Sequence, residues 1–96
     1  MNLRVSLYDT LVNNQLLVRV YNLDNDGGSG MVKIYVSGQY PVIEVPLEQL
    51  FLSPMDVFIK ETPVTGDFRE VTAKVFSGDL TQLHDSDTRM IKLGKI

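Results

Sequence analysis

The chain has 96 residues, 44% of them hydrophobic and 22% charged, which is the usage of one globular domain and excludes a disordered polar segment. It contains no cysteine, so disulfides, thiolate metal sites and thiol catalysis are excluded. Its net charge is −3, and its nine basic residues are scattered without a run, so nothing electrostatic draws it to nucleic acid.

Apolar residues recur along the chain at a spacing of two, the mark of strands with one buried face. In "MNLRVSLYDT", Leu3, Val5 and Leu7 alternate with Asn2, Arg4 and Ser6. That alternation predicts a strand and leaves no uninterrupted apolar core for a signal peptide. Asn13 and Asn14 suit the left-handed conformations of a hairpin tip. In "QLLVRVY", Leu16, Val18 and Val20 share one face, with Leu17, Arg19 and Tyr21 on the other, which predicts a central strand. Val32, Ile34 and Val36 form the next strand, which Gly38 ends, and Ile43, Val45 and Leu47 form another.

Leu47, Leu50 and Phe51 stand at helical spacing, but Pro46 and Pro54 confine them to at most one short turn near 47–53. "VFIK", carrying Val57 and Ile59, predicts a second central strand, and "PVTGD" a loop. Val71, Ala73 and Val75 alternate with Thr72, Lys74 and Phe76 before "SGDL" closes that strand. "LHDSD" then predicts a polar loop, and "TRMIKLGKI" a terminal strand. No apolar stretch approaches the ~20 residues of a membrane span. Together these segments predict an all-β fold in one domain over residues 1–96, an antiparallel sandwich of six to eight short strands.

Three stretches invite a chemical reading. "YNLDNDGGSGMVK" places Asn22, Asp24 and Asp26 at positions one, three and five of a calcium-type loop, with Gly27 at six. Position twelve, where a bidentate carboxylate belongs, is Lys33, and strands rather than helices flank the loop; it reads as a connection with an acidic tip. The glycines before Lys33 lack the spacing of a phosphate loop and any following helix. His84, the only histidine, lies beside Asp85 and Asp87. It lacks further His or Cys partners for a metal, and Ser77 and Ser86 lack a strained nucleophile motif. No cofactor is expected.

Aromatic residues give a different signal. Tyr21 and Tyr35 bracket the glycine-rich loop on faces opposite the main apolar stripes, and Phe58 and Phe76 are out of phase with the buried sets of their strands. Such residues mark an interface or a second buried face. The interface candidates are therefore Tyr21, Tyr35, Phe58 and Phe76, with Asp24 and Asp26 at the loop tip.

Over residues 16–80 the chain resembles the immunoglobulin-like modules of the bacterial and archaeal cell-adhesion-related (CARDB-like) type. The resemblance rests on Asn22, Gly27, Gly28, Val32, Ile34, Tyr35, Val36 and Gly38, and on the later Gly66, Phe68, Val71, Ala73 and Val75. It implies an Ig-like sandwich and no catalytic activity. The expected function is a non-enzymatic structural or interaction protein, such as a viral capsid decoration or virion accessory subunit. Its partner would be another protein or further copies of itself, with no nucleic acid and no membrane, in a virion or the cytoplasm. Two alternatives are an inhibitor of a host enzyme acting through Asp24 and Asp26, and a metal-binding or hydrolytic module around His84.

Overall fold

A computed structural model describes residues 2–13, 15–23, 28–38, 42–47, 55–59, 68–78 and 82–92. Among the described residues seven strands follow in chain order: β1 (Leu3–Leu7), β2 (Leu16–Asn22), β3 (Gly30–Val36), β4 (Ile43–Leu47), β5 (Met55–Ile59), β6 (Phe68–Ser77) and β7 (Leu83–Lys92). They form two antiparallel sheets, one of three strands in the order β1-β2-β5 and one of four in the order β4-β3-β6-β7. The fold is all-β, as the two-residue period predicts.

The core lies between the sheets and is built from one parity of each strand. Leu3, Val5 and Leu7 face Leu16, Val18 and Val20 within the first sheet, and Val32, Ile34, Val36, Val71, Ala73 and Val75 cover them from the second. Leu47, Ile59 and Ile91 complete the cluster. Each large apolar side chain withdrawn from water in this way contributes about 1.5–3 kcal/mol relative to leaving it exposed. β-Branched residues dominate these positions because their χ1 stiffness suits a pleated surface.

The turn chemistry is as the sequence predicts at three points. Val12 and Gln15 exchange main-chain hydrogen bonds of 2.8 and 2.9 Å, and Asn13 takes the positive φ of 53° that such a tip needs. Gly38 ends β3 at a φ of 81°, where a side chain would be strained. Gly78 follows β6 in a turn.

Two expectations are corrected. "LHDSD" is not a loop: β7 starts at Leu83 and runs through His84, Asp85, Ser86 and Asp87. Two acidic residues occupy its inward positions, which hides the apolar alternation that would announce a strand. "VFIK" is not central: β5 is an edge strand, and Phe58 reads as apolar on the second face while being 45% exposed. Asp24, Asp26, Gly27, Gly66, the loop at 63–67 and the turn near 47–53 beyond Leu47 lie outside the described residues. Among the described residues no helix is long and apolar enough to cross a membrane.

Hydrogen-bond parity identifies what each edge strand shows to its surroundings. Tyr8 N–H donates to the Leu17 carbonyl at 3.1 Å and Leu23 N–H to that of Asn2 at 2.8 Å. Even residues of β1 therefore bond β2, and the amides of Val5 and Leu7 point outward. By the same alternation β5 turns the main-chain groups of Asp56 and Phe58 outward. Ser37 N–H donates to the Glu70 carbonyl at 3.0 Å, which directs Glu44 and Pro46 of β4 to its free side. Proline has no amide to offer there, a usual protection of an edge. In β7 the outward residues are Ser86, Thr88, Met90 and Lys92.

Candidate functional site

The acidic segment around His84 contacts the β1 edge. A bulge sets Asp85 opposite Val75 but Leu83 opposite Phe76, leaving His84 as the extra residue. Beyond it, Asp85 and Asp87 stand opposite Val75 and Ala73, on the inward face of β7. β1 lies against this strand across the sandwich. The Val5 amide donates to Asp85 Oδ2 at 3.0 Å, and the Leu7 amide to Asp87 Oδ2 at 2.8 Å. The two carboxylates thus take the outward amides of β1 as a neighbouring strand would, and tie chain positions 80 residues apart. Arg89 Nε adds a 3.2 Å contact to the same oxygen of Asp87. One oxygen of each carboxylate is thus engaged at the sandwich edge. Among the described residues no group of three or more His, Asp or Glu side chains could hold a metal ion.

The four aromatic interface candidates fall on two opposite outer faces. Tyr21 and Phe58 lie outward on the three-stranded sheet, Tyr35 and Phe76 outward on the four-stranded one. On each face a charged row separates the two rings. In the three-stranded sheet that row is Ser6, Arg19 and Asp56. Arg19 meets Asp56 through two hydrogen bonds, Nε to Oδ1 at 2.7 Å and Nη2 to Oδ2 at 3.2 Å, and lies 5.5 Å from the Tyr8 ring centre. The hydrogen bond from Arg19 holds the Asp56 carboxyl below its ordinary range, and the same bond raises the Arg19 guanidinium further above its own. The next row joins Leu17 to Phe58, with Tyr8 on the other side. Leu17 is only 3% exposed there, so this outer face carries some buried apolar area of its own.

The outer face of the four-stranded sheet is more open. One row runs Pro46, Met31, Phe76, Leu83; the next runs Glu44, Lys33, Lys74, Ser86; a third sets Tyr35, Thr72 and Thr88 side by side. Lys33 and Lys74 are direct cross-strand partners, an arrangement that repels. They diverge: Lys33 Nζ sits 5.4 Å from the Phe76 ring centre and 3.7 Å from Glu44 Oε1, and Lys74 Nζ sits 5.0 Å from the Tyr35 ring centre. Each ammonium is thus drawn to an aromatic ring instead of its twin. Thr72 and Thr88 share a 2.9 Å hydroxyl hydrogen bond. At the far end Met90 pairs with Glu70 and Phe68 with Lys92, which makes Phe68 and Met90 diagonal neighbours. A cavity of ≈ 200 Å³ opens between Tyr35, Val42, Glu70 and Thr72.

Exposure singles out this face. Phe68 is 63% exposed, Met90 57% and Leu83 49%. Phe68 and Met90 stand together at one end of the face and Leu83 beside Phe76 at the other, and large apolar groups left in water on one face are candidates for a contact surface. The aromatic reading of the sequence missed Met90 and Leu83, and used Phe68 only as part of a family motif. The phase of Val71, Ala73 and Val75 would have placed Phe68 outward. For β7 only Ile91 carries the inward phase, too little to reveal Met90 or Leu83.

Comparison of the chain with protein-family models, curated proteins and solved structures returned no match.

Proposed function

We propose that the protein is a non-enzymatic interaction module that binds another protein through the outer face of its four-stranded sheet. The observation that carries this reading is the exposure of Phe68, Leu83 and Met90 on one face, beside the half-buried Met31, Tyr35 and Phe76. Covering such side chains releases about 25 cal/mol for each Å² of apolar area removed from water. Lys33 and Lys74, set over aromatic rings among them, favour a partner that brings carboxylates to the middle of the contact. The amide hydrogen bonds that Asp85 and Asp87 accept from β1 support a structural reading of that segment over the hydrolytic alternative.

The sandwich, in this proposal, is of the immunoglobulin-like type. Seven strands divided three and four, with β4 paired to β3 and not to β5, support a Greek-key sandwich whose fourth strand joins the second sheet. The setting is that of an accessory subunit in a larger assembly, a capsid decoration or virion component being the form expected from the sequence. The test is a variant carrying Phe68→Ser, Leu83→Ser and Met90→Ser. It should fold and melt like the wild type, yet fail to co-purify with the particle or complex that holds the wild-type chain. Retention at wild-type levels would contradict the reading.

A further inference from the structure

Of the four sheet edges, three are closed, short or blunted. The outward amides of Val5 and Leu7 in β1 are taken by Asp85 and Asp87. β4 presents Pro46, which has no amide, and β5 turns out only Asp56 and Phe58. β7 differs. It runs ten residues, and Ser86, Thr88, Met90 and Lys92 direct their main-chain groups away from β6. Ser86, Thr88 and Met90 are exposed, and among the described residues no strand lies on that side in the sheet.

The side chains between these residues select what such an edge accepts. The half-buried Asp87 and the exposed Arg89 lie on the inward face beside it, and charge on that face of an edge strand repels an arbitrary strand. A strand that supplies the opposite charges in register is accepted, and β7 itself is one. An antiparallel pair of two β7 strands centred on Thr88 places Thr88 opposite Thr88, Ser86 opposite Met90, and Asp87 opposite Arg89 on both sides of the axis. The pairs formed by Ser86, Thr88 and Met90 are those whose main-chain groups already point outward, so each exchanges two hydrogen bonds and the three give about six. Asp87 and Arg89 then fall at the closer, non-hydrogen-bonded positions, where opposite charges attract best. Centring the pair on Asp87 or on Arg89 instead would set like charges face to face, and centring it on Met90 would set Arg89 against Ile91.

We infer that β7 is a self-association edge: two copies of this chain join through β7 about a two-fold axis at Thr88, making one continuous eight-stranded sheet. This goes beyond the outer-face reading and does not rest on it, because it uses the strand edge and not the face. The arrangement is isologous and closes on itself, so it yields a dimer and no fibre.

The chain has no cysteine, so single substitutions report the register cleanly. In a hydrogen-bonded antiparallel pair the Cα atoms stand about 5.5 Å apart, within the span of a disulfide. Under mild oxidation Thr88→Cys should form a covalent dimer in high yield. Ser86→Cys and Met90→Cys should each remain uncrosslinked alone, and should crosslink when mixed. By light scattering across a dilution series, the wild type should pass from dimer to monomer. Thr88→Pro, whose lost amide is not part of the β6–β7 ladder, should be monomeric with an unchanged circular dichroism spectrum, and Arg89→Glu should weaken the dimer at least tenfold. A wild type that is monomeric throughout, a dimer indifferent to Thr88→Pro, or crosslinking of Ser86→Cys alone in preference to Thr88→Cys would each overturn the inference.

Discussion

Replacing Asp87 with alanine removes the acceptor of the Leu7 amide, a 2.8 Å bond in a half-buried setting between the two sheets. A hydrogen bond to a charged group contributes about 1.5–3 kcal/mol, and the low end applies because water can partly reach this edge. The contact with Arg89, which is itself exposed, adds little. A loss of about 1.5 kcal/mol follows, and in a domain of this size each kcal/mol lowers the melting temperature by about 4–8 °C. Asp85→Ala should cost a similar amount through the 3.0 Å bond to Val5, whereas Asp87→Asn keeps a side-chain carbonyl acceptor and should lose only about half as much. Thermal and urea unfolding give the energies, and amide hydrogen exchange locates them: the Leu7 amide should lose protection in Asp87→Ala, and the Val5 amide in Asp85→Ala. Amide capture by Asp87 is refuted if Asp87→Ala unfolds within about 0.5 kcal/mol of the wild type, the range of an ordinary surface change. It fails equally if Asp87→Val is more stable, because then packing and not amide capture sets the value of that position.

Other expectations concern separate parts of the molecule. The Asp56 carboxyl, held below its ordinary range by the Arg19 hydrogen bond, should titrate at lower pH than a free aspartate in a carbon-detected NMR titration, and Arg19→Met should return it upward. Since its folded pKa is depressed, its contribution to stability is present above the ordinary carboxylate range and disappears as the pH falls through the lowered value. Leu16→Ala, at a fully buried site, should cost about 3 kcal/mol in urea unfolding, while Leu23→Ala, 58% exposed, should change stability by less than about 0.5 kcal/mol. Gly38→Ala should cost about 1 kcal/mol, because φ is +81° and the new Cβ would come 3.0 Å from Arg69 Nη1.

Much of the fold is legible in the sequence because six strands bury one parity of residues and leave the other outward. Leu3, Val5 and Leu7, or Val71, Ala73 and Val75, need no further context to be read as strand cores. β7 escapes this reading for a physical reason: its inward positions hold Asp85 and Asp87, which accept β1 amides 80 residues away in sequence, and Arg89, which contacts Asp87. β5 is misjudged because Phe58 resembles a second buried face, while among the described residues β5 is an edge strand and Phe58 is 45% exposed. Periodicity shows that Tyr21, Tyr35, Phe58 and Phe76 point out of phase with their strands' cores. It does not show that they divide between two opposite faces, since that depends on which strands pair. The exposed group of Phe68, Leu83 and Met90 becomes visible only once β6 and β7 are aligned around the bulge at His84.

Hydroxyl-radical footprinting tests the central claim most directly, comparing the isolated chain with the chain in the assembly it is purified from. To separate the face from the β7 edge, the same comparison is run with Thr88→Pro. Phe68, Leu83 and Met90 should be strongly labelled in the isolated protein and protected in the assembly, with Leu23 and Phe58 labelled alike in both. Equal labelling of Phe68 and Leu83 in the two states, or protection confined to Leu23 and Phe58, would contradict the assignment of the four-stranded face as the binding surface.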